Sequence, residues 1–122
     1  MNSRPDFWTK LDEMVAGHEL VVDRRRGSAH PRHGEWTYPL DYGYLAGTRS
    51  GDGEGIDVWV GSRPAAGVNG VVCTVDLAQG DTELKLLLGC TAAEMQAILA
   101  VHNQGNQAAI LVARQADEGI GG

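Results

Sequence analysis

The stretch Gly70-Val-Val-Cys-Thr-Val-Asp76, a Gly80–Asp81 turn and Glu83-Leu-Lys-Leu-Leu-Leu88 decide the fold class. Two short β-branched and apolar runs on either side of a Gly-Asp pair read as a hairpin. Alternation puts Glu83 and Lys85 on one face of the second strand. The hairpin can bring Asp76 near Glu83. Upstream, residues 19–23, 42–48 and 57–61 read as strands, with a Gly-rich turn over 50–55 and another turn over 63–67. Residues 24–35 hold Gly27, Pro31, Gly34 and many charges, and read as a loop. Downstream, residues 109–113 read as a last strand, and the small, polar tail after Arg114 is expected to fray.

Two helices frame these strands. Ser3 and Asp6 have capping-box spacing, with Pro5 in the first turn. Phe7, Leu11, Met14 and Val15 follow at helical spacing up to Gly17, which predicts an amphipathic helix over 4–16. Thr91 and Glu94 form a second capping box ahead of Met95, Ile98, Leu99 and His102, which predicts a helix over about 92–103. The class is therefore α+β, mainly β, in a single domain over 1–122. Five or six short strands separated by turns suggest a small closed or nearly closed β-barrel, with a two-sheet sandwich as the alternative.

Composition narrows the function classes. The chain has 122 residues, 43% hydrophobic and 21% charged, a balance that argues for a folded domain rather than disorder. No apolar run approaches the ~18–20 residues that span a bilayer. The first residues carry no basic stretch ahead of an apolar core, and Cys73 and Cys90 are too few for a disulfide framework or a zinc site. A cytoplasmic location is expected. A net charge of −6 argues against unaided binding to nucleic acid or to an anionic membrane. The charges are uneven, however. Arg24, Arg25, Arg26 and Arg32 stand close together, and so do Asp52, Glu54 and Asp57.

Ser50-Gly-Asp-Gly-Glu-Gly-Ile-Asp57 carries three carboxylates among three glycines. Gly permits tight backbone approach, so such a loop can aim three carboxylates at one point. Converging negative charges are costly unless a cation sits among them, and an all-oxygen donor set suits magnesium or manganese before zinc. An EF-hand calcium loop needs an oxygen ligand where Ile56 stands, Gly where Asp57 stands and flanking helices, so it is discounted. The plain alternative is an exposed Asp/Gly turn. Asp76, Glu83 and Lys85 add two further acids and a counter-charge, or else a surface salt bridge. Tyr38-Pro-Leu-Asp-Tyr-Gly-Tyr44 holds every tyrosine of the chain; each phenol can donate to a phosphate oxygen or pack in the core. The arginines offer phosphate forks or a solvated loop face. His30 and His33 lack a matching ligand motif. His102 is read as facing the helix dipole, Trp8, Trp36 and Trp59 as packing, and Cys73 as a buried small apolar residue.

These two clusters resemble the soluble single-barrel inorganic pyrophosphatases. That family carries Tyr-Pro-x-x-Tyr-Gly-Tyr/Phe followed by Asp-Gly-Asp-Pro-x-Asp. Here the segments are Tyr38–Tyr44 and Asp52-Gly-Glu-Gly-Ile-Asp57, with matching spacing between them. The resemblance covers roughly residues 19–89. It implies an OB-like five-stranded barrel with an N-terminal and a C-terminal helix, and magnesium-dependent hydrolysis of pyrophosphate to two phosphates, with manganese as a substitute ion. By the same resemblance Asp52, Asp57, Asp76 and Glu83 are metal ligands, and Asp81 is an alternative to Glu83. Glu54 takes the proton of the attacking water alongside Asp57. Arg32, Lys85, Tyr42 and Tyr38 bind phosphate, with Asp23 near the site. The family commonly forms homo-oligomers. Glu54 stands where the family has Asp, and Gly55 where it has Pro. Arg24–Arg26 and Arg49 are candidates to rebuild the phosphate clamp. Two other readings stay open: a metal-dependent hydrolase of a nucleotide or another phosphoanhydride, and a non-catalytic metal- or phosphate-binding module.

Overall fold

A computed structural model describes residues 6–31, 34, 36–51 and 53–115. The chain runs α1 (Phe7–Ala16), β1 (Leu20–Arg24), β2 (Asp41–Leu45), β3 (Ile56–Val60), a short 3-10 turn (Pro64–Ala66), β4 (Val68–Asp76), β5 (Asp81–Leu88), α2 (Ala92–Val101) and β6 (Gln107–Ala113). The expected hairpin is β4–β5, paired antiparallel from Val68–Leu88 to Asp76–Asp81. It lies inside a six-stranded sheet of order β1-β2-β3-β5-β4-β6.

The architecture is mixed α+β and mainly β, but the sheet is open, with β1 and β6 at opposite edges. The expected closed, OB-like five-stranded barrel is corrected. β6 pairs along β4 from Gly70–Ala113 to Asp76–Gln107 and so occupies the edge that a closing strand would need. α2 is consequently not the last element. β3 and β5 pair in parallel over Val58–Leu86 to Val60–Leu88, with β4 crossing between them in the chain. Strand periodicity carries no information about that non-local pairing.

Each face of the sheet is covered by one helix. On one face Leu45, Val58, Val68, Val71, Leu86 and Leu88 pack against Trp8, Leu11 and Val15 of α1. On the other, Trp59, Val72 and Leu87 pack with Met95 and Ile98 of α2 and with Cys90, Tyr38 and Leu40. Cys73 is only partly buried, so it is not the fully buried residue expected.

Capping sets the helix ends. Asp6 is itself the N-cap of α1, accepting from Thr9 N at 2.9 Å; Ser3 and Pro5 lie outside the described residues. The Thr91–Glu94 capping box forms as expected, and Glu94 Oε1 also accepts from Ser62 N, which ties α2 to the turn after β3. Gly43 is required by packing: a Cβ there would lie 1.9 Å from Val21 O of the neighbouring strand. Among the described residues no helix is long and apolar enough to cross a membrane.

Candidate functional site

The parallel β3–β5 pair sets Asp57 beside Lys85, and the antiparallel β2–β3 pair sets Tyr42 opposite Trp59. Side chains alternate along a strand, so Tyr42, Asp57, Trp59, Glu83 and Lys85 share one face, the face that α2 covers farther along. There Lys85 Nζ donates to Glu83 Oε1 at 2.6 Å, Asp57 Oδ2 at 2.8 Å and Tyr42 Oη at 2.9 Å. An ammonium has three donors, so all of them are engaged.

Lys85 is 8% exposed. Burial by itself pulls its ammonium toward the neutral form, but the oxygens of Tyr42, Asp57 and Glu83 outweigh that, and it is held above the ordinary lysine value. Burial likewise raises the Tyr42 phenol, which stays protonated at neutral pH. The cluster thus pairs one buried cation with two part-exposed carboxylates and one neutral hydroxyl.

Beside this cluster opens a cavity of about 720 Å³. Its walls include Tyr38, Tyr42, Asp76, Asp81, Glu83 and Lys85 of the residues singled out in the sequence. Asp57 reaches it through the shared Lys85 ammonium. Asp76 instead holds the backbone: Oδ1 accepts from Ala78 N at 2.9 Å and Gln79 N at 3.0 Å, and Oδ2 from Gln107 Nε2 at 3.1 Å. The backbone N–H of Gln79 is the main cause that holds its carboxyl below the usual range, helped by Gln107 and Ala78 and opposed by burial.

The other sequence candidates are not gathered here. Asp23 is exposed at the irregular end of β1, where the register slips between Val22 and Arg24. Glu54 is exposed on the β2–β3 turn, which Ser50 N→Glu54 O at 2.6 Å and Ile56 N→Thr48 Oγ1 at 3.0 Å hold shut. Arg24, Arg25, Arg26 and Arg49 are exposed and do not line the cavity. Arg25 and Arg26 contact Asp41 instead. Arg32, His33 and Asp52 lie outside the described residues.

Sequence reasoning missed the rest of the cavity wall. The segment after β1 folds back through an Ala29–Thr37 bridge and His30 N→Trp36 O at 3.1 Å. This places the rings of His30, Trp36 and Tyr38 in a row with Tyr42 and Trp59. His102, read as a helix-dipole partner, is instead buried at the end of α2. Its Nε2 accepts from Trp59 Nε1 at 3.1 Å, and its Nδ1 pairs with Gln107 Oε1 at 2.5 Å. Burial pushes its pKa down to about 4, so it is neutral. Only the Tyr-rich motif hinted at this wall.

A magnesium ion is implied by the resemblance, and the donor chemistry admits it. Among the described residues no group of three or more His, Cys, Asp or Glu side chains is placed to hold a metal. Asp57 and Glu83 do converge within reach of one ammonium. Magnesium commonly takes only one or two protein carboxylates together with substrate phosphates and waters. Two hard oxygen donors therefore fit an ion that arrives with its substrate, rather than a prebuilt cage. No family model matches the chain, and no curated protein and no solved structure does either.

Proposed function

We propose that this chain hydrolyses a phosphoanhydride, with pyrophosphate as the simplest substrate, in a magnesium-dependent reaction. One observation carries the reading: Tyr42, Asp57 and the Glu83–Lys85 pair come from three different strands and meet in one hydrogen-bonded cluster, of which Tyr42, Glu83 and Lys85 line the cavity. Asp57 and Glu83 would hold the ion. Bound there, magnesium would neutralise the phosphates and supply an activated water.

The chain's own residues account for selectivity of charge. With Asp76, Asp81, Asp57 and Glu83 set against Lys85, the region repels a bare diphosphate and accepts one that brings its cation. As Asp57 and Glu83 turn to that cation, the donors of Lys85 are released to phosphoryl oxygens. Lys85 keeps its charge and Tyr42 its proton, so both can stabilise negative charge growing on the leaving group. Asp57 is joined to the cavity wall by its bond to Lys85, whereas Glu54 is exposed on the β2–β3 turn, so Asp57 is the acid of the expected catalytic pair that this arrangement favours as proton acceptor.

The test is phosphate release from pyrophosphate by the purified chain. Turnover with magnesium or manganese that is lost in EDTA and in Asp57→Asn supports the reading. Turnover that survives both, or tight metal and phosphate binding without turnover, overturns it. Self-association belongs to the same proposal. β6 is an edge strand with Ile110 64% exposed, and light scattering that gives a monomer at every concentration removes that part.

A further inference from the structure

A diphosphate ion fills only a small part of a cavity of about 720 Å³, a volume within the ~300–1,000 Å³ of pockets that enclose larger organic ligands. The cavity is also asymmetric. The Lys85 cluster forms one end. From Tyr42 of that cluster a run of rings leads away, with Tyr42 and Tyr38 centroids 5.6 Å apart, Tyr38 and Trp36 5.2 Å, and Trp36 and His30 4.5 Å. His30 and Trp36 are half-buried and both line the cavity. Gln104 and Asn106, on the loop after α2, add amide donors and acceptors to the lining. Phosphate has no use for rings, whereas a flat heterocycle does: base–aromatic stacking contributes ~1–3 kcal/mol per base.

We infer that the phosphoanhydride taken by this site carries a nucleobase, which lies against Trp36 and His30 while its phosphates reach Lys85. The inference rests on the hydrolase reading and names its substrate class. The reaction is plain hydrolysis. The water oxygen bonds to the terminal phosphorus of a nucleoside diphosphate and the bridging P–O bond breaks. A nucleoside monophosphate and inorganic phosphate leave, and the proton lost by the water passes to Asp57 and from there to solvent. No oxidant or further reactant is involved.

The experiment compares ADP with pyrophosphate, each with magnesium, for the wild-type chain, Trp36→Ala and Trp36→Phe. It adds tryptophan fluorescence on titration with AMP alone. The expected results are a higher kcat/KM for ADP, quenching by AMP, and a preference for ADP over pyrophosphate that falls ~10-fold in Trp36→Ala and returns in Trp36→Phe. Pyrophosphate cleavage with no ADP cleavage, or a preference that Trp36→Ala does not alter, overturns the inference and leaves the hydrolase reading standing. No cleavage of either substrate removes the hydrolase reading and this inference with it. If Trp36→Ala does not fold, the wild-type data decide: absence of AMP quenching overturns the inference. Because aromatic walls beside carboxylates also attract organic cations, quenching by choline but not by AMP overturns it as well.

Discussion

Two polar systems share one face of the sheet and are held in opposite ways. Around Lys85 the side chains are ionised, and a buried ammonium is satisfied by two carboxylates and a phenol. From β3 through the end of α2 to β6 and β4, Trp59, His102, Gln107 and Asp76 form a hydrogen-bonded chain whose buried members are neutral and whose charge is confined to the part-exposed Asp76. The first system exchanges partners when a ligand brings charge of its own. The second fixes tautomers and positions and gains nothing from such a ligand. A site needs the former to react and the latter to stay in shape.

The sharpest way to break this contrast is at Asp57. Asp57→Asn keeps the shape but removes the charge that would meet a cation. Magnesium-dependent phosphate release is expected to fall ~100- to 1,000-fold, alongside a lower urea midpoint, because the buried Lys85 ammonium loses one of its two counter-charges. A variant of near wild-type activity would put the chemistry elsewhere in the chain.

The neutral system predicts a pH effect on stability instead. His102 titrates near 4 in the folded chain, against an ordinary value of 6.5. Between these values the unfolded chain binds the extra proton. Stability is therefore full above pH 6.5 and declines as pH falls toward 4, by about 3 kcal/mol from this residue. Urea unfolding across that range reads the slope directly, and His102→Gln is expected to flatten it. An unchanged slope in the variant would assign the effect to other groups.

Lys85→Met tests the charged system by the same method. Removing the ammonium leaves Asp57 and Glu83 facing each other. Both are partly solvated, at 30% and 20% side-chain exposure, so the cost at neutral pH is expected to be about 2 kcal/mol rather than that of a fully buried pair. The gap to wild type narrows as salt is raised, because the repulsion of the two carboxylates is then screened. A gap that salt does not change would mean that Lys85 acts through its packing alone.

Much of the contrast is legible in the residues. The Thr91–Glu94 box, the β4–β5 hairpin and the shared face of Glu83 and Lys85 follow from local spacing. The contact of Asp57 with Lys85 does not, because it depends on a parallel pairing between strands separated by all of β4. The closed barrel fails for the same kind of reason: nothing in the sequence of residues 107–113 says that they pair outside β4. The Asp-Gly loop is the densest acidic motif in the sequence, yet of its two described acids only Asp57 reaches Lys85, and Glu54 is exposed on a turn. A carboxylate's spacing is local, but its burial is set by which strand lands beside it. His102 escapes a reading by pattern because a histidine at a helix end looks the same whether it faces water or a tryptophan N–H.

The smallest expected effect is the most specific to the neutral chain. Gln107 accepts from His102 Nδ1 and donates to Asp76, so one amide orients both. Gln107→Leu leaves the His102 N–H without its partner at a site that is 7% exposed, which costs roughly 1–2 kcal/mol. Asp76 keeps its two backbone donors and stays in place. Since Gln107 also favours the protonated form of His102, its loss lowers the histidine pKa further and extends the acid decline of stability to lower pH. NMR titration of the His102 ring reads that shift. A rise in its pKa in Gln107→Leu would show that water enters beside the ring, and that the cavity floor depends on this amide to stay dry.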